Sequence, residues 1–170
     1  MKFIFYDYET LYRTEYSLTR MDPPSYILDP RFEAICMGVA EDSGSPYIVD
    51  GPDIQRFWDQ CDRNVATVSH NQLFDACISN WRFGYVPKLI VDTLAMSRTL
   101  LSRYLKSHSL ASVSKFLGFM EKGSFIHQVR GMSRMDIIQN GLWPQEVEYC
   151  LHDTALCRSI FFTLCPQLPD

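Results

Sequence analysis

Residues 2–10, KFIFYDYET, carry apolar or aromatic side chains on both alternating faces. Successive side chains of a strand point to opposite sides, so a strand of this kind has to be covered on both of them. It belongs at the centre of a sheet. Asp7 and Glu9 interrupt the apolar run at its carboxyl end. Two residues apart, they project from the same side, at the end of the strand where open α/β sheets commonly place their sites. Acids at a strand end also serve as solvated turn residues, so the pair gains meaning only from what the rest of the chain brings to it.

With 170 residues and 46% hydrophobic content, the chain supports one sizeable core, and a single domain spanning residues 1–170 is expected. Residues 32–42 and 45–53 read as a hairpin turning at Asp42, Ser43 and Gly44. Asp53 is placed to cap a helix running to about Cys61, residues 66–70 form a fourth strand, and a helix follows from Gln72 to Phe83. A fifth strand spans 87–93. Beyond Asp92 the spacing is helical over 93–101, 109–119, 133–141 and 144–164. This order predicts an α/β fold, a mixed five-stranded sheet flanked by helices, compatible with the ribonuclease-H-like plan. Six cysteines lack CxxC spacing and read as reduced, mostly buried thiols. The first strand leaves no room for a signal peptide, and no apolar run approaches the ~18 residues of a membrane span, so a cytoplasmic protein without a membrane partner is expected.

Two further segments carry acids. In HNQLFDAC, residues 70–77, a strand gives way to a helix with Asp75 in its first turn, where the dipole alone would favour a carboxylate. Asn71 and Phe74 frame that turn, one offering an amide and the other an anchor. In YCLHD, residues 149–153, the four-residue spacing puts Tyr149 and Asp153 on one helix face. Each segment alone has an ordinary structural explanation.

Together they form an ordered pattern: D-x-E on the first strand, N-x-x-F-D at a central strand-to-helix turn, and Y-x-x-x-D on the last helix. The chain here resembles the tyrosine-bearing branch of the DEDD 3′–5′ exonucleases, and within it the proofreading domain of family A DNA polymerases of the bacterial polymerase I and phage type. SYILDPRFEAICMGVA, LIVDTLAMSR and HDTALCRSIF extend the likeness over nearly the whole chain. The histidine branch closes on H-x-x-x-x-D, a spacing that His70 and Asp75 satisfy, but midway along the chain, leaving Tyr149 and Asp153 unexplained.

The resemblance implies a metal-dependent phosphodiester hydrolase acting on single-stranded DNA 3′ ends, with a polymerase domain or subunit as partner, in the cytoplasm of a bacterium or phage-infected host. It implies two divalent cations, Mg2+ or Mn2+, held by Asp7, Glu9, Asp75 and Asp153, with Tyr149 orienting the attacking water. Leu11, Asn71, Phe74 and His108 are the implied substrate contacts, and Arg98, Lys106, Lys122 and Arg130 are candidate phosphate contacts. The net charge of −4 argues against a wholesale grip on duplex, although cations bound among clustered acids would cancel charge locally. Asp92 reads as a helix cap, and Trp58, Trp81 and Trp143 as core or partly buried aromatics. Two rivals stay open: a nucleic-acid-binding module that has the fold without catalysis, and an RNA exonuclease, since these motifs read phosphate and metal rather than the 2′ position.

Overall fold

The computed structural model describes residues 1–119 and 125–168, so Lys122 lies outside the described residues. Five strands, β1 (Phe3–Thr10), β2 (Ala34–Glu41), β3 (Tyr47–Asp50), β4 (Ala66–Ser69) and β5 (Leu89–Asp92), form one sheet in the order β3-β2-β1-β4-β5. The first three are antiparallel, whereas β4 and β5 run parallel to β1. The helices are α1 (Pro23–Leu28), α2 (Ile54–Gln60), α3 (Gln72–Phe83), α4 (Thr93–Leu101), α5 (Leu110–Phe116), α6 (Arg134–Gln139) and α7 (Trp143–Leu164). This is the mixed, helix-flanked α/β sheet that the sequence predicts. No helix among the described residues is long and apolar enough to cross a membrane.

The central strand is covered on both faces, as its pattern requires. Ile4, Tyr6 and Tyr8 pack with Met37, Val39, Ile54, Trp58 and Tyr85 in one cluster. Phe5, on the opposite face, joins Ala40 and Val68 beneath Leu156, Ile160, Phe161 and Leu164 of α7. Tyrosines survive in the first cluster because their hydroxyls are satisfied: Tyr6 donates to Gln72 Oε1 at 2.8 Å, and Tyr8 accepts from Trp58 Nε1 at 2.6 Å. Asp7 and Glu9 share the Phe5 face, so they point toward α7.

What lets α7 come so near is Gly38. It pairs with Asp7 across the β1–β2 ladder. A Cβ there would lie 2.2 Å from Thr154 Oγ1, 2.9 Å from the Cys150 carbonyl oxygen and 3.1 Å from Cys150 Sγ. Only a residue without a side chain permits this crossing.

Several local details differ from expectation. Asp53 makes no side-chain cap bond, because residues 51–53 already form a 3-10 turn feeding α2, and the capping acid is Asp50, which accepts from the Gly51 N–H at 2.8 Å. Helix α1 is additional to the sequence reading, started by Asp22, which accepts from the Ser25 N–H at 3.0 Å ahead of Pro23 and Pro24. Trp58 is core, but Trp81 is 41% exposed. Asp92 does cap α4, accepting from the Leu94 N–H at 2.9 Å.

Replacing Gly38 with Ala overpacks the α7 crossing and should destabilise the chain by about 1–3 kcal/mol. Urea unfolding measures this, and an unchanged midpoint would show that α7 does not depend on the close approach.

Candidate active site

The α7 sequence places Glu146, Tyr149, Cys150 and Asp153 at helical spacings of three, four and seven, on one buried face. That face meets the end of β1. Ligand atoms of Asp7, Glu9 and Cys150 lie within 4.8 Å of one another, and the Cys150 thiol donates to the Asp7 carbonyl oxygen at 3.6 Å. Burial pushes the Glu9 carboxyl well above its usual range, and the charges of Asp7, Glu146, Cys36 and Asp153 push it the same way. Asp7, Glu9, Asp153 and Glu146 therefore belong to one electrostatic neighbourhood.

Asp75 is approached from the other side of β1. It is buried in the first turn of α3, where it accepts from Ser69 Oγ at 2.8 Å and from the Tyr8 N–H. The ladder explains that N–H: β1 pairs with β4 only from Phe3 to Phe5, which leaves Tyr8 to find another acceptor. Burial raises the Asp75 carboxyl to about 7 against these two hydrogen bonds, and Asp92 is the acid it feels most. Cys157, one turn beyond Asp153, ties the two sides together. Burial lifts its thiol above the usual value, and the charges of Asp7, Asp75 and Asp92 all add to that rise.

Two clefts open beside these acids. One, of about 510 Å³, runs past Glu9 and is lined by Tyr8, Tyr12, Phe74, His127 and Arg130 among others. The second, of about 680 Å³, adjoins Asp7 and carries Asn71, Arg98, Lys106 and His108. Asn71 adopts a left-handed backbone (φ 81°), with its N–H donated to Asp92 Oδ1 at 3.0 Å and its side chain exposed. Phe74 is half-buried, its ring 5.9 Å from that of Tyr26. Leu11 is different: it is 7% exposed, its carbonyl accepts the Tyr26 hydroxyl at 2.6 Å, and it lines neither cleft. His70 holds the second cleft's wall, Nε2 donating to the His108 carbonyl at 2.9 Å and Nδ1 facing Thr93 Oγ1 at 2.9 Å.

Glu146 and Cys150 are the residues that sequence reasoning passed over. Glu146 is only 1% exposed, neither of its oxygens has a hydrogen-bond partner among the described residues, and burial raises it to about 7. The signal was available: both residues extend the Tyr149–Asp153 stripe at helical spacing. It was masked because Glu146 also fits the ordinary role of an acid in a first helical turn.

No protein-family model matches the chain, and no curated protein matches it in sequence. Its fold is shared with solved structures. One, described as the apo form of the nuclease, is 19% identical with a TM-score of 0.65, covering 98% of this chain and 72% of that one. Brucella melitensis NrnC is 14% identical with a TM-score of 0.50, over 98% of this chain and 88% of that one. The same protein bound to pGG is 16% identical, with the same TM-score of 0.50 and coverages of 98% and 88%. At these identities the likeness establishes the fold, an α/β ribonuclease-H-like sheet.

The raised carboxyls carry a pH signature for the metal-free chain. Unfolded carboxyls ionise near pH ~4, whereas folded Asp75 and Glu146 hold their protons to about 7 and Glu9 is raised as well. The folded state thus binds more protons across that window, so stability declines as pH rises from about 4 through about 7. Thermal unfolding in chelator should give a lower midpoint at about pH 7.5 than at about pH 5. A midpoint that climbs across this range would contradict the buried-acid description.

Proposed function

We propose that the chain is a divalent-cation-dependent 3′–5′ exonuclease, a single catalytic domain over residues 1–170 that releases nucleoside monophosphates from single-stranded DNA. The observation that carries this is the meeting of Asp7 and Glu9 on β1 with the α7 face that bears Tyr149, Cys150 and Asp153, where donor atoms of Asp7, Glu9 and Cys150 lie within 4.8 Å of one another. Two solved structures of the same fold support it, one described as a nuclease and the other NrnC bound to pGG. The motif order supports the finer reading, proofreading beside a polymerase domain or subunit.

The donor set fits the implied ions. Carboxylate oxygens suit Mg2+ or Mn2+, and acids that repel one another when buried gain from a cation between them. Asp7, Glu9, Asp75 and Asp153 are the carboxylates that would hold the two cations. Bound there, the cations supply a water of lowered pKa and neutralise the departing oxygen. The protein does the positioning. Tyr149 holds the attacking water by hydrogen bond and, as a weakly acidic phenol, orients it rather than taking its proton. The aromatic cleft past Glu9 receives the terminal nucleoside against Phe74 and Tyr12, while Arg98, Lys106 and His108 hold neighbouring phosphates in the cleft beside Asp7.

Incubation of 5′-labelled single-stranded DNA with Mg2+ or Mn2+ should give a ladder shortening from the 3′ end, abolished by chelator. Asp7→Ala and Asp153→Ala should fall to background, and Tyr149→Phe should keep a measurable rate, down by about 10²-fold. A parallel RNA substrate decides the sugar: faster shortening of RNA replaces DNA as the substrate. Binding without cleavage under every metal condition would overturn the enzymatic reading in favour of an inactive module.

A further inference from the structure

We propose that Cys150 is a metal ligand, and that with Asp7 and Glu9 it forms a site for a thiophilic divalent cation of the Zn2+ or Cd2+ class. The site overlaps the position proposed for the hard cations. Its existence rests on the side-chain cluster itself; only its effect on cleavage rests on the proposed nuclease activity.

The geometry comes first. Zinc holds carboxylate oxygens at roughly 2.0–2.2 Å and thiolate sulfur at roughly 2.3 Å, so three such donors around one tetrahedral ion lie roughly 3.5 Å apart. The donor atoms of Asp7, Glu9 and Cys150 are already within 4.8 Å of one another. Closing the difference takes about an ångström of side-chain adjustment. Cys150 is held in place for it, since its sulfur lies under Gly38, its thiol reaches the Asp7 carbonyl at 3.6 Å, and the Cys36 thiol hydrogen-bonds to it.

An independent observation points to a cation at the same place. Glu146 is 1% exposed, and both of its oxygens are buried with no hydrogen-bond partner among the described residues. It lies one helical turn before Cys150 on the same face of α7, and its charge acts on Glu9. A buried carboxyl without a donor among the described residues, whose charge reaches Glu9 beside Asp7 and Cys150, gives this pocket the chemistry of a cation receptor.

A thiol changes which cation is preferred. Oxygen ligands suit Mg2+ and Mn2+, whereas a soft sulfur donor selects Zn2+ and its heavier congener. On binding, the S–H bond breaks, a metal–sulfur bond forms, and the proton leaves to solvent, with no change of oxidation state. Micromolar zinc would then compete with millimolar magnesium and hold the site in a closed, inactive form.

The test is a titration of the full chain with Cd2+, read by the ultraviolet thiolate-to-cadmium charge-transfer band. The wild type should develop the band, and C150S should lose it, together with roughly 10–100-fold in cadmium affinity, the scale seen when a metal site's supporting groups are removed. C165S, at an exposed cysteine outside the cluster, should retain it. Cadmium NMR of the wild type gives a second reading that needs no variant: a resonance of one sulfur among oxygens supports the site, and an all-oxygen or multi-sulfur resonance overturns it. A folded C150S with an unchanged band and affinity also overturns it. In magnesium-driven cleavage, the zinc concentration that halves the rate should rise by the same factor in C150S. Failure of cleavage itself, with the cadmium band intact, would count against the nuclease reading and leave the metal site standing.

Discussion

The site depends on how closely one helix can lie on one sheet. Gly38 stands opposite Asp7 on the neighbouring strand, and the absence of its side chain lets Cys150 and Thr154 rest directly on the backbone there. The apolar seam of Phe5, Val68, Ile160, Phe161 and Leu164 then holds α7 at that depth. Close packing of this kind resists small displacements, because interior side chains have few voids to move into. Asp153 and Tyr149 inherit their position from it. The pre-organisation that phosphodiester chemistry would use is therefore a product of ordinary core packing one turn away.

The same packing creates an electrostatic cost. Glu9, Asp75 and Glu146 are buried, and each is driven toward its protonated form chiefly by loss of water. The chain compensates them unequally. Asp75 receives hydrogen bonds from Ser69 and from the Tyr8 N–H, which favour its charged form. Among the described residues Glu146 receives none. Asp75 is thus held as an anion-ready group on the α3 side, while on the α7 side the charges of Asp7, Glu146 and Asp153 add to the cost of burying Glu9. Stability is given up where positive charge is wanted, a pattern typical of functional sites.

Much of this was readable in the chain, and the reasons are local. The two-faced apolar pattern of residues 3–8 required a covered central strand, and Phe5 and Tyr6 indeed anchor opposite clusters. The hairpin turns where expected, with the Gly44 N–H bonded to the Glu41 carbonyl at 2.7 Å. Helix α6 begins with a reciprocal Ser133–Asp136 capping box, a signal contained within four residues. Less legible features were those in which two local signals competed. Asp53 looked like a cap because it precedes the helix, yet the 3-10 turn shifted that duty to Asp50. The six-residue α1 was too short for periodicity to reveal, although its Asp-Pro-Pro start was present. Leu11 lay close to the acidic motif in sequence, but the chain turns there and buries it under Tyr26.

By itself the sequence determined the faces: which side chains of β1 point together, which residues of α7 share a stripe, and where each element begins. Those follow from backbone geometry repeating every two or 3.6 residues, and they need no knowledge of distant neighbours. Only the tertiary structure decided which faces meet. The rotation and depth of α7 over β1 are set by Gly38 and by packing contacts far apart along the chain, and that is why Glu146 and Cys150, distant in sequence, interact with Glu9.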